Sequence, residues 1–147
     1  MADLYHIRSL TNRVREEVLT IMETRSGAFP GAIRHDTIGG SHGTPENTME
    51  DSIVRALMQG RKLRLIETRR KEEVKEAVRI IQASGMTVAQ RHILYLRYLA
   101  HTKDWTTLSW PEVFQHVNLY HNIERRRMFS LHREAMAILK NNNTKCT

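Results

Sequence analysis

The chain has 147 residues, 40% of them hydrophobic, and 23 Lys and Arg against 16 Asp and Glu give a net charge of +7 and a pI near 10.0. This is one domain's worth of chain with enough apolar content for a core, which excludes a disordered polyelectrolyte. No apolar run approaches the roughly 18 residues of a membrane span, no signal-peptide segment opens the chain, and the one cysteine, Cys146, leaves no internal disulfide framework, so a cytoplasmic protein is expected.

A first helix is predicted from Asp3, a suitable N-cap, to about Glu23. Leu4, Ile7, Thr11, Val14, Val18 and Ile21 alternate three and four residues apart, the spacing of a coiled-coil seam. The stretch "RSGAFPGAIRHDTIGGSHGTPEN" holds five of the seven glycines and two of the three prolines. It reads as a loop at 25–44, long enough to be functional or mobile.

A much longer helix follows, with Thr44 as N-cap and Pro45 in its first turn, running to about Ala83 and stopping at Gly85. Ile53, Ala56, Gly60, Leu63, Val74, Ala77 and Ile81 continue the seam, interrupted by Glu67 and Arg70. Forty helical residues span about 60 Å, so the first helix covers only part of this one. The remainder calls for another partner, with a homodimer through the long helix as one expectation.

Two capping boxes announce the next helices. "TVAQ" at Thr87 to Gln90 opens "TVAQRHILYLRYLAH", and "SWPE" at Ser109 to Glu112 opens "SWPEVFQHVN", which Asn118 can end in a left-handed conformation. A last helix is predicted from near Asn122 to about Lys140. The expected class is therefore all-α. A helical hairpin (short helix, Gly-rich loop, long helix) occupies 1–85, a three-helix helix-turn-helix domain 86–141, and a disordered tail 142–147.

Charge is uneven along this layout. Residues 1–86 carry 14 Lys and Arg against 12 Asp and Glu, whereas 87–147 carry 9 against 4. A basic C-terminal part points to a polyanion partner. Three consecutive arginines, Arg125, Arg126 and Arg127, repel one another and are not explained by helix stability. Projected at about 100° per residue, the last helix gathers Met128, Leu131, His132, Ala135 and Leu139 on one face. Arg126, Ser130 and Arg133 fall opposite, flanked by Arg127 and Glu134.

That face suits the major groove of double-stranded DNA, where arginine donates two hydrogen bonds to guanine O6 and N7. Arg126, Ser130 and Arg133 are the base-facing candidates, and Arg125 and Arg127 the phosphate candidates. The free N–H groups at the start of the "SWPE" helix offer a further phosphate site, with Thr107, Ser109 and Trp110 beside it. The plainer alternative is a solvated helix face with Glu124 and Glu134 as partial counterions.

Other constellations weigh less. His116 and His121 straddle a turn and His35 and His42 lie in the Gly-rich loop, but zinc needs three or four converging ligands and no cysteine pair or HExxH accompanies them, so no metal is expected. His132 fits the core-facing side of the last helix with a hydrogen bond. "GGSHG" lacks the GK[ST] ending of a phosphate loop. No nucleophile–base–acid set stands out, so neither enzymatic activity nor a cofactor is expected. Trp105 and Trp110 read as core anchors, and Met49, Met58, Met86, Met128 and Met136 as core filler.

"LRYL", "SWPEV" and "SLHREAM", in this order after "GGSHGTPEN" and "MEDSIVRAL", resemble the short phage transcription regulators of the RinA/ArpU type. The C-terminal module of that family is similar to the helix-turn-helix of region four of bacterial sigma factors. The resemblance implies a phage-encoded activator of late genes that binds DNA near a promoter in the host cytoplasm, with host RNA polymerase as a further contact. Arg125, Arg126, Arg127, Ser130 and Arg133 match its recognition helix. Two other functions compete: a DNA-binding assembly protein such as a small terminase-like packaging subunit, and a protein-only adaptor of host RNA polymerase.

Overall fold

The computed structural model describes residues 3–28 and 45–145, and the side chains of 3–24 and 50–145. Among these residues the fold is all helical, with a lone antiparallel bridge between His101 and Thr107 and no strand. Among these residues no helix is long and apolar enough to cross a membrane.

Helix α1 spans Leu4–Ala28. Asp3 caps it as predicted, its Oδ1 accepting from the N–H groups of Tyr5 and His6 at 3.0 and 3.3 Å. The helix continues five residues past Glu23, so the predicted loop loses its first residues to α1. The rest of that loop, with Thr44, His35 and His42, lies outside the described residues. Helix α2 spans Pro45–Ala83 and ends where expected. Gly85 takes φ +75°, which a glycine adopts without a Cβ clash, and the Ser84 hydroxyl donates to the Ile81 carbonyl at 2.6 Å.

Thr11 meets Arg70, and six residues later Glu17 meets Lys62, so α1 and α2 run antiparallel. Leu10, Val14 and Ile66 are buried in one cluster between them, with Val18 and Leu63 packed against it. Two expectations fail here. Ile53, placed on the packing seam, is 55% exposed. Arg70, read as an interruption of the seam, is buried. Its Nε donates to Thr11 Oγ1 at 2.7 Å and its Nη2 to the Leu99 carbonyl at 2.7 Å, so its charged head is satisfied inside.

Helix α3, Val88–Leu94, opens on the Thr87–Gln90 capping box with both reciprocal bonds formed. It passes into a π-helical turn, Tyr95–Leu99, closed by the Ala100 N–H on the Tyr95 carbonyl at 2.8 Å. Helix α4, Trp110–His121, starts on the second capping box. Asn118 does not end it. The helix runs one turn further, and Asn122, at φ +50°, is the left-handed cap. Asparagine tolerates that conformation better than most residues. Only Asn122–Glu124 then separate α4 from helix α5, Arg125–Lys145. The predicted start near Asn122 shifts to Arg125, and the region expected as a tail from residue 142 is helical as far as Lys145.

Ile93, Val113, Val117, Met128 and Leu131 form a buried cluster shared by α3, α4 and α5, with Trp110, Phe114 and Phe129 packed around it. Each fully buried aliphatic side chain contributes about 1.5–3 kcal/mol. A third cluster joins Leu4 and Ile7 of α1, Ala77 and Ile81 of α2, Leu94 of α3 and Ala135 and Leu139 of α5. It crosses the boundary expected at 85/86, so residues on both sides of that point share one core. Met86 and Met128 are buried and Met136 is partly buried against this core, but Met58 is 65% exposed and is not filler.

Candidate nucleic-acid interface

The orientation of α5 is fixed from one side. Met128, Leu131, Ala135 and Leu139 are its buried residues, and the short connection after Asn122 limits how α4 and α5 can cross. His132 lies at the edge of the buried face. Its Nε2 meets the Tyr98 hydroxyl at 2.8 Å, and its ring stands edge-on to Trp110. Burial, then the nearby Arg97 charge, lowers the His132 pKa, which favours the neutral ring as a hydrogen-bonding group.

With that face inward, Arg125, Arg126, Arg127 and Arg133 are exposed and Ser130 is half-buried. The helical projection puts Arg126, Ser130 and Arg133 on one outward row. Arg127 reaches Glu134 Oε1 at 3.5 Å, and Glu134 also accepts from Gln90 Nε2 at 3.1 Å, which ties this carboxylate to α3. Among the described residues no carboxylate lies within ion-pairing distance of Arg125, Arg126 or Arg133. Three guanidinium groups therefore keep their full hydrogen-bonding capacity for something outside the chain.

The start of α4 is different. Glu112 Oε2 already accepts from the Ser109 N–H at 2.7 Å and the Ser109 hydroxyl at 3.0 Å, and these bonds hold its carboxyl below the usual range. A negative charge thus stands beside the helix start where a phosphate was expected. Thr107 is half-buried and bridged to His101. Trp110 is half-buried, turned toward Phe129 at 5.0 Å between ring centres, with the Arg97 guanidinium 4.5 Å above its ring. The structure therefore gathers the α5 residues on one face, whereas Thr107, Ser109 and Trp110 are engaged with neighbours within the chain.

Sequence reasoning missed the arginines that face inward. Arg8 Nη1 donates to the Arg97 carbonyl at 2.9 Å, Arg70 to the Leu99 carbonyl, and Arg97 Nη1 to the Leu108 carbonyl at 3.0 Å. The last carbonyls of a helix lack intrahelical donors and carry partial negative charge. Two cations from α1 and α2 thus cap the π-helical end of α3 and fasten it to the helices before it. The available signal was that Thr11 and Arg70 both fall on apolar seams. His92 was also missed: its Nδ1 lies 3.0 Å from His121 Nε2, with its pKa lowered by burial first and by His121 and His116 next.

Among the described residues no three His, Cys, Asp or Glu side chains converge as metal ligands. Compared with models of known protein families, with curated proteins and with solved structures, the chain matches none of them.

Proposed function

We propose that this chain is a sequence-specific double-stranded-DNA-binding regulator that lays α5 in the major groove, α3–α5 acting as a helix-turn-helix module. The observation that carries the reading is the row Arg126, Ser130 and Arg133, with Arg125 beside it, on a helix whose other side is locked in the core. A three-residue connection between α4 and α5 is of the length such modules use. Arg126, Ser130 and Arg133 read base edges, while Arg125 and Arg127 grip phosphate. The resemblance to RinA/ArpU-type regulators narrows the role to activation of phage late genes near a promoter in the host cytoplasm, with host RNA polymerase as the second contact. Catalysis and cofactors have no part in this reading.

Selection of bound duplexes from a random DNA pool tests it. An enriched motif is expected, with affinity for it falling steeply with salt, about 0.9 in log–log slope for each phosphate neutralised. Absence of enrichment together with salt-independent binding defeats the proposal and favours a protein-only polymerase adaptor. One observation favours a second reading, a DNA-binding assembly subunit of the small terminase kind: α2 exposes apolar side chains in its first half. A ring of many copies in solution would support that alternative.

A further inference from the structure

The two halves of α2 differ on the side turned away from α1. Beyond residue 70 that side is charged, with Lys71, Glu72, Lys75 and Arg79, and Arg79 pairs with Glu76. Before it, Val54, Leu57, Met58 and Leu65 are between 53% and 72% exposed. They do not belong to the seam facing α1. Projected at about 100° per residue they lie within roughly 100° of one another on the opposite side, with Arg61 among them. The first half of α2 therefore carries two apolar lines. Ala56, Leu63 and Ile66 form the one toward α1, where Leu63 and Ile66 pack, and the other is open. Scattered exposed apolar residues need no explanation, but a contiguous helical stripe does.

Charge along this stripe is segregated. Glu50 and Asp51 lie at its start, and Arg61, Arg64, Arg69 and Lys71 from its middle onward, all exposed. Among the described residues none of these side chains takes part in an ion pair. A second copy laid parallel on the stripe sets Glu50 against Glu50 and Arg69 against Arg69. A second copy laid antiparallel, with the two-fold axis beside residue 60, reverses this. Asp51 then faces Arg69 of the second copy, Glu50 its Lys71, and Val54 its Leu65, while Leu57 and Met58 enclose the aliphatic stem of its Arg61. Each contact occurs twice, as in any isologous interface, and the helix dipoles oppose favourably.

We propose that the outward face of α2 between residues 50 and 71 is a self-recognition surface, on which a second copy of this chain docks antiparallel and closes a two-fold dimer. The inference is independent of the DNA reading, because its test contains no nucleic acid. Sedimentation equilibrium of the full chain should give a dimer, and Leu65→Glu should weaken it roughly 100-fold (about 2.7 kcal/mol) with helical circular dichroism unchanged. Asp51→Arg and Arg69→Asp should each weaken the dimer, and the double variant should restore it, since the swap re-forms the pairs only when the helices run in opposite directions. Val54→Lys is a second probe of the stripe should Leu65→Glu disturb folding. A wild-type monomer, a dimer that tolerates both apolar substitutions, a higher oligomer, or failure of the charge swap to restore association overturns the proposal.

Discussion

Arg8, Arg70 and Arg97 sit at the junction of α1, α2 and α3, and each ends on a backbone carbonyl of the π-helical turn or of Leu108. Arg125, Arg126 and Arg133 lie on the last helix and meet no carboxylate among the described residues. The same side chain does opposite work in the two places. At the junction its charge is matched by buried or partly buried backbone carbonyls, so it holds the fold together. On α5 its charge is left in water, where it adds nothing to folding and is available to a polyanion. A net charge of +7 is thus a poor measure of the surface that a partner meets, since part of it is spoken for inside.

The sharpest way to break the contrast is Arg70→Ala. It strands Thr11 Oγ1 and the Leu99 carbonyl, and loss of two hydrogen bonds to a charged group should destabilise the fold by about 3 kcal/mol. For a chain of this size that lowers Tm by roughly 10 °C in a thermal melt. Arg70→Lys should recover little, because an ammonium cannot serve both acceptors in the guanidinium geometry. If Arg70→Ala melts with the wild type, the junction does not depend on this cation.

Arg126→Ala and Arg133→Ala should behave in the reverse manner. Tm should stay within about 1 °C, since surface substitutions rarely exceed half a kcal/mol. Affinity for the selected duplex should fall by about 1–3 kcal/mol, with little change on random DNA. Arg125→Ala should weaken binding to all duplexes alike. Fluorescence anisotropy on both kinds of duplex distinguishes these outcomes. Equal losses on selected and random DNA for all three would remove base reading from α5.

A weaker effect is expected from pH. Burial holds His92 and His132 below their ordinary 6.5, helped by His121 and His116 in the first case and Arg97 in the second. The unfolded chain then binds protons before the folded one does, so the stability from these rings is complete above 6.5. It is lost as pH falls through their depressed values. Urea midpoints should decline between pH 7 and 5, and His132→Gln should flatten part of that decline. A midpoint independent of pH would show that the rings are not held neutral.

The smallest change is Glu134→Gln. It removes the exposed ion pair with Arg127, worth about a few tenths of a kcal/mol, while its carbonyl can still accept from Gln90. Stability should be nearly unchanged. Binding to any duplex should tighten slightly, because one fixed negative charge leaves the edge of the arginine row. Weaker binding would mean that Glu134 orients Arg127 rather than restraining it.

Local chemistry settled much of this molecule from the residues alone. Asp3, Thr87–Gln90, Ser109–Glu112, Pro45 and Gly85 each act within four residues of themselves, so their caps and stops were legible. The projection that sets Met128, Leu131, Ala135 and Leu139 opposite Arg126 and Arg133 also needs only the helical period. Helix ends that depend on competition between neighbours were less legible. Asn118 and Asn122 are both able to cap α4, and the choice fell to the later one, which carries α4 one turn further before the chain reverses.

What only the tertiary structure decided is the partner of each polar group and the extent of each contact. Arg70 looks like a seam defect until Thr11 and Leu99, 59 and 29 residues away in the chain, supply its acceptors. Ile53 has the heptad spacing of the core, yet it is 55% exposed. Periodicity reports which side of a helix is apolar, whereas burial requires a second surface at that height, and long-range packing alone provides one. The sequence by itself determined five helices and the direction in which α5 displays its arginines. Packing decided which of the remaining cations hold the fold together and which apolar stripe is left open.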